Sequence, residues 1–234
     1  MRGVRLRLHG DLPALLRRDR RDETRDWPLA DGATIKHLLE SAGVPHTEVG
    51  AVAIGGRPAA LDTRPADGDL VEAWPLVPAP PPRPRFLADA HLGALARRLR
   101  LLGFDTLLAD DHPDHLLAAC AAAEDRILLS RDRALLQHRQ VRQGRFVRAT
   151  RTAGQLDEVV RHYGLRTRMQ PFSRCLECNA PLAAASADEV AAALPPRVAA
   201  EHRAFTRCTG CGRVYWPGTH WRRLRAVVEA LSQG

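Results

Sequence analysis

The stretch RFLADAHLGALARRLRLLGFDTLLADD, residues 85–111, decides the fold. It contains two short apolar runs, each ending on aspartate. Residues 86–88 close on Asp89, and residues 104–109 close on Asp110 and Asp111. Between them Leu92, Leu95, Ala96, Leu99 and Leu102 recur at helical spacing until Gly103 stops the pattern. Downstream, RILLSRD (126–132) is a third apolar run that reaches Asp132, and RFVRA (145–149) reads as a fourth. Pro113 suits a helix start, followed by a stripe of Leu116, Leu117 and Cys120, and Ser130 is the expected cap of the next helix. AGQLDEVVRHYG (153–164) closes the segment as a helix. Strand–helix alternation at this period predicts an α/β domain over about residues 84–165, a parallel sheet with helices on both faces.

The chain has 234 residues, 45% hydrophobic and 26% charged, enough for two or three small domains. No apolar run approaches the roughly 20 residues that span a bilayer, and MRGVRLRLHGD is no signal peptide. The expectation is a soluble, cytoplasmic protein. Residues 1–78 carry 11 Lys+Arg against 12 Asp+Glu, whereas the remaining residues carry 24 against 15, so the net charge of +8 lies in the carboxyl-terminal two thirds. An excess placed there points to a polyanionic partner.

PLVPAPPPRPRF, residues 75–86, is a proline linker, and a softer joint lies at residues 164–174. Before the linker, Val4, Leu6 and Leu8 alternate with arginines as a half-buried strand. DGATIKHLLESAGVP (31–45) is a helix with Asp31 or Thr34 as cap and Gly43 as stop. VGAVAIGGRPA (49–59) and DGDLVEAWPLV (67–77) are strands with glycine turns, which suits a β-grasp over residues 1–78. DGATIKHLLESAGVP and RPADGDLVEAWPLV resemble the ubiquitin-like sulfur carriers. Those act through a free terminal diglycine. Here the last strand runs into Leu76, Val77 and prolines, while Gly55–Gly56 reads as a hairpin turn, so sulfur chemistry is not expected.

Cys175–Cys178 and Cys208–Cys211 form two CxxC pairs separated by 29 residues (208 − 178 − 1). Two such turns complete a closed Cys₄ site, which predicts a structural zinc ribbon over residues 170–234. Cys120 reads as a small buried hydrophobe. After the second pair comes RVYWPGTHWRRLR (213–225), where Trp216 and Trp221 interleave with Arg222 and its neighbours. Such tails can stack unpaired bases and hold phosphates, or simply pack a small domain.

Aspartates at the carboxyl ends of parallel strands stand where open α/β sheets bind ligands. Clustered carboxylates repel one another unless a cation neutralises them, and they suit Mg²⁺ or Mn²⁺. Aspartate is equally a favoured helix cap, and the residues alone leave both readings open. Arg97, Arg98, Arg100, Arg131 and Arg133 could hold a phosphate backbone or form a solvated face.

RFLADAHLGALARRLRLLGFDTLLADDHPDHLLAACAAAEDRILLSRDRALL, continued by SRCLECNAPL and RCTGCGRVYWPGTHWRRL, resembles the Mut-seven C-terminal RNase family, a PIN-like nuclease group. The resemblance spans about residues 84–225, and the family it resembles also occurs with a ubiquitin-like segment in front, as here. It implies a PIN-like three-layer domain and metal-dependent hydrolysis of RNA, transfer RNA or another structured RNA. Asp89, Asp114 and Asp132 match the family's acidic positions, with Asp111 beside them, as holders of Mg²⁺ or Mn²⁺. RFVRATRTAGQ (145–155) lacks the further acid that PIN-type sites carry near the fourth strand. The competing expectation is a non-catalytic RNA-binding or scaffold protein whose β-grasp domain docks a protein partner.

Overall fold

A computed structural model describes residues 3–17, 24–109 and 112–233. Asp110 and Asp111 lie outside the described residues. In chain order the elements are β1 (Gly3–Leu8), β2 (Arg25–Pro28), α1 (Ile35–Ala42), β3 (Val49–Ile54), β4 (Arg57–Ala59) and β5 (Leu70–Pro75). Then come β6 (Phe86–Ala88), α2 (Gly93–Leu101), β7 (Thr106–Leu108), α3 (Asp114–Ala123), β8 (Ile127–Ser130), α4 (Arg133–Gln137), β9 (Gly144–Phe146) and α5 (Thr152–His162). The last are β10 (Leu182–Ala185), α6 (Ala187–Val190), α7 (Pro196–Glu201), β11 (Phe205–Cys208), β12 (Val214–Tyr215) and α8 (Thr219–Gln233). They divide into two compact units, residues 1–79 with 112–146 and residues 80–111 with 147–234.

In the first unit five strands form a sheet in the order β2-β1-β5-β3-β4, with β1 and β5 parallel and the other pairs antiparallel. α1 lays Ile35, Leu38 and Leu39 into a core with Val4, Leu6, Leu8, Val52 and Val71. This is the expected β-grasp. The Thr34 hydroxyl, not Asp31, caps α1 by accepting the His37 N–H at 3.2 Å, and Gly43 ends it at φ +95°. Gly55 and Gly56, both at positive φ, make the hairpin turn between β3 and β4, a path that only glycine follows cheaply. β2 is the strand that sequence alone does not reveal. Arg-Asp-Trp-Pro has no apolar alternation, and only Trp27 is buried, as suits a sheet edge ending on proline.

The same unit holds α3, β8, α4 and β9, with β8 and β9 parallel. Glu48, on the turn before β3, joins the two parts. Its carboxylate accepts from Arg145 Nη1 at 2.7 Å and from the Phe146 N–H at 2.7 Å. Both side chains of the ion pair are almost wholly buried, Glu48 at 1% and Arg145 at 6% exposure. Beside it His46 links Glu40, at 2.8 Å, to the Val141 carbonyl at 2.9 Å. Gln137 donates to the Glu40 carbonyl at 3.0 Å. Phe146 packs on the β-grasp core with the Arg133 guanidinium 5.0 Å above its ring. The expected stripe on α3 shifts by one position: Leu117, Ala118 and Ala121 are buried, and Leu116 faces outward.

In the second unit β6 and β7 are parallel, and α2 buries Leu95, Ala96, Leu99 and Leu101. Phe86 meets Phe104 and Tyr163 edge-on at 6.0 and 5.8 Å. The cysteine-bearing region is an antiparallel sheet ordered β10-β11-β12, followed by α8. Parallel pairs in both units and an antiparallel ribbon agree with an α/β reading of the sequence. No helix among the described residues is long and apolar enough to cross a membrane.

Candidate functional site

The four cysteines converge. Cys175 and Cys178 lie on the turn before β10, Cys208 ends β11, and Cys211 is on the tight turn to β12. Their sulfurs lie within 4.8 Å of one another, with Cys175–Cys211 at 3.7 Å and Cys178–Cys208 at 3.2 Å. A tetrahedral thiolate site with metal–sulfur bonds of about 2.3 Å has edges of roughly 3.8 Å, so the quartet fits one ion. The Gly210 and Cys211 N–H groups point at Cys208 Sγ, each at 3.3 Å, and stabilise negative charge there. Burial alone would push the Cys175 thiol up. The Cys178 and Glu177 N–H groups and the Tyr215 hydroxyl, 3.1 Å away, outweigh that and hold it at about 6. The neighbouring N–H groups and thiols likewise bring Cys208 down against its burial. At Cys178 the Ala180 N–H favours the thiolate, but burial and the neighbouring thiols push it up to about 12. Thiols pulled in opposite directions at contact distance share protons until a cation replaces them. Among the described residues the quartet is the one group of three or more such ligands within reach of a single ion.

The quartet is bolted to the α/β part of its own unit. Arg100 of α2 is buried and donates to the carbonyls of Thr106 (2.9 Å), Leu176 (2.9 Å) and Glu177 (2.6 Å). Burial lowers its pKa, and the Cys175 and Cys178 sulfurs and Glu177 oppose the shift. This corrects the sequence reading of Arg100 as a phosphate contact, because its guanidinium is committed to backbone. Asn179 accepts from the Thr106 N–H at 3.0 Å and donates to Asp105 at 2.8 Å. Asn179 carried no sequence signal beyond its place next to Cys178.

The aspartates differ in their surroundings. Asp89 is buried directly after β6 and precedes a 3₁₀ turn at Ala90–Leu92, yet its side chain makes no capping hydrogen bond. Asp132 does cap: it accepts the Ala134 N–H at 2.7 Å, while its own N–H donates to Ser130 Oγ at 2.9 Å. Asp132, not Ser130, is therefore the cap of α4. Asp114 is exposed in the first turn of α3, where the helix dipole favours negative charge. Asp89 belongs to the second unit, and Asp114 and Asp132 to the first.

Of the proposed RNA contacts, Arg97 is exposed and pairs with Glu177 at 3.3 Å. Arg98 Nη1 and Arg133 Nε are buried atoms without a hydrogen-bond partner among the described residues, Arg133 lying over Phe146. Arg131 and Arg222 are exposed. Trp216 packs on Val190, Leu194 and Phe205. Trp221 lies against Phe172 with the rings tilted by 30° and their centres 5.1 Å apart. Both tryptophans line an open groove of about 540 Å³.

Parallel α/β pairs, a β-grasp and four cysteines placed to share one metal ion define a multi-part α/β protein with a ubiquitin-like module. The chain belongs to the Mut7-C RNAse domain family, whose model matches residues 84–228. The Mut7-C ubiquitin model matches residues 1–79. Membership suggests a nuclease-type function. Among solved structures, the chain is similar to small archaeal modifier protein 1 of H. volcanii, at 20% identity and TM-score 0.26 over 33% of this chain and 100% of that one. It is also similar to a candidate molybdopterin converting factor subunit 1 from Pyrococcus furiosus, at 21% identity and TM-score 0.26 over the same shares. No curated protein matches the chain significantly.

Proposed function

We propose that the protein is a metal-dependent ribonuclease of PIN-like, three-layer build, in which Asp89, Asp114 and Asp132, with Asp111, hold Mg²⁺ or Mn²⁺. The cysteine ribbon then carries one structural zinc and helps to bind RNA, and the β-grasp module offers a surface to a protein partner. Family membership supports the reaction class. The observation that carries the reading is the place of Asp89, a buried residue at the carboxyl end of a parallel strand, where open α/β sheets bind ligands. Carboxylate oxygens are hard donors of the kind Mg²⁺ and Mn²⁺ prefer. Such an ion supplies Lewis-acid stabilisation of charge on a phosphodiester. The chain itself would orient Asp132: the Ala134 N–H holds its carboxylate, and Ser130 Oγ accepts its backbone N–H.

Asparagine caps a helix about as well as aspartate, so Asp132→Asn changes the charge and keeps the cap. Asp89→Asn and Asp132→Asn are expected to abolish Mg²⁺- or Mn²⁺-dependent cleavage of RNA without lowering the melting temperature. Cleavage at the wild-type rate in both variants would end the nuclease reading. One observation favours the competing reading, a non-catalytic RNA binder: Asp132 does cap α4. That reading requires wild-type RNA affinity in both variants and no thermal shift of the wild type by Mg²⁺.

A further inference from the structure

We propose that the groove formed by β12, the first turn of α8 and Phe172 takes one unpaired nucleotide of RNA, its base on the aromatic walls and its phosphate on the rim. This rests on the ribonuclease reading and makes it specific, since the RNA is engaged as a single strand. At about 540 Å³ the groove has the size of small-ligand sites. Its walls are Phe172, Tyr215, Trp216 and Trp221. Arg213 and His220 stand exposed on the rim, neither in an ion pair among the described residues, and no Asp or Glu lines the groove. Across residues 165–234 there are ten arginines against five Asp+Glu.

Two features show that the walls are held in advance. The Trp221 ring centre lies 5.1 Å from that of Phe172 and 5.6 Å from the Arg225 guanidinium, which pairs with Glu229 at 2.6 Å. Phe172 has φ +61°, a left-handed backbone that bulky residues rarely adopt. Its N–H donates to the Leu101 carbonyl at 2.9 Å, and the Gln170 N–H donates to Leu102 at 2.8 Å, which imposes the bend. Strained conformations of this kind persist where surroundings over-determine them, typically at ligand sites. Aromatic faces select a planar ligand, and the Arg213 guanidinium selects an anion; an unstacked nucleotide is both. A duplex keeps its bases stacked, and an acidic peptide would satisfy the rim but not the walls.

The test uses the full, zinc-loaded chain without added Mg²⁺ or Mn²⁺, so that binding is read apart from cleavage. The probes are a labelled single-stranded oligoribonucleotide, the same strand with a central abasic run, a blunt duplex and oligoglutamate. The intact strand should bind at least tenfold more tightly than the abasic one and quench tryptophan fluorescence. Trp221→Leu and Phe172→Leu should collapse that difference while zinc content stays at one per chain. Arg213→Glu, a surface change, should weaken intact and abasic strands by the same factor. Should Trp221→Leu shed its zinc, the wild-type comparison of intact with abasic strand still decides. Equal affinity for those two, a duplex binding as tightly, or oligoglutamate competing as well as RNA would overturn the proposal. Metal-dependent cleavage without base-dependent binding sinks the groove alone; base-dependent binding without cleavage sinks the nuclease reading alone.

Discussion

The two units each fasten a small accessory element to an α/β segment, and they do so with opposite chemistry. In the first, the β-grasp holds residues 133–146 through one buried ion pair, Glu48–Arg145, with His46 and Gln137 beside it. In the second, the cysteine ribbon holds α2 and β7 through Arg100 and Asn179, which bond mainly to backbone, while the quartet organises the turn they grip. A buried ion pair works only when both members are present, because either one alone is a desolvated charge. A turn built on four clustered thiols would need an ion to hold it. Each tether therefore has a different point of failure.

Removing the metal should produce the largest effect. Structural zinc sites of this type contribute about 10–16 kcal/mol of apparent binding free energy at neutral pH. Chelation, or Cys175→Ser, should expose residues 170–234 and loosen α2 and β7 through Arg100, with the β-grasp unaffected. Hydrogen exchange by peptide resolves this, and full protection of residues 93–108 in the zinc-free protein would break the coupling.

Next comes Glu48→Ala, expected to destabilise the first unit by about 3 kcal/mol, because buried Arg145 then keeps only its longer pairing with half-exposed Asp11 at 3.4 Å. Glu48→Gln should cost less, since it still accepts the Phe146 N–H. The double variant Glu48→Leu with Arg145→Met should recover much of the loss in a denaturant titration. Additive losses in the double variant would show that the pair is not the tether.

Arg100→Lys should follow at about 2–3 kcal/mol, because a lysine cannot fork to three carbonyls that remain buried. Its effect should appear in the second unit alone, and thermal unfolding followed at Trp216 and Trp221 checks it. Smallest is Asp132→Ala, about 1 kcal/mol for the lost cap, against almost none for Asp132→Asn. If asparagine costs as much as alanine, charge rather than capping fixes the start of α4.

Local rules carried much of the fold. The Thr34-to-Gly43 helix, the Gly55–Gly56 hairpin and the leucine spacing of α2 are set by neighbours a few residues away, so they can be read along the chain. The CxxC pairs are legible for the same reason: each turn places its own two sulfurs. β2 escaped because an edge strand with one buried side chain has no period to detect. The cap of α4 lies two residues beyond the expected Ser130 because Ser130 and Asp132 are both competent caps, and only the backbone path decides between them.

What sequence by itself determined is therefore the helices and strands with a clear period or cap, that four cysteines can share an ion, and where the aspartates fall relative to strand ends. Tertiary structure alone decided that Arg100 serves the ribbon's backbone, that Glu48 finds Arg145 at 97 residues' separation, and that Phe172 faces Trp221. The physical reason is range. Propensity, capping and turn chemistry act over a few residues, whereas burial decides the fate of a charge or an aromatic ring only when distant segments close over it.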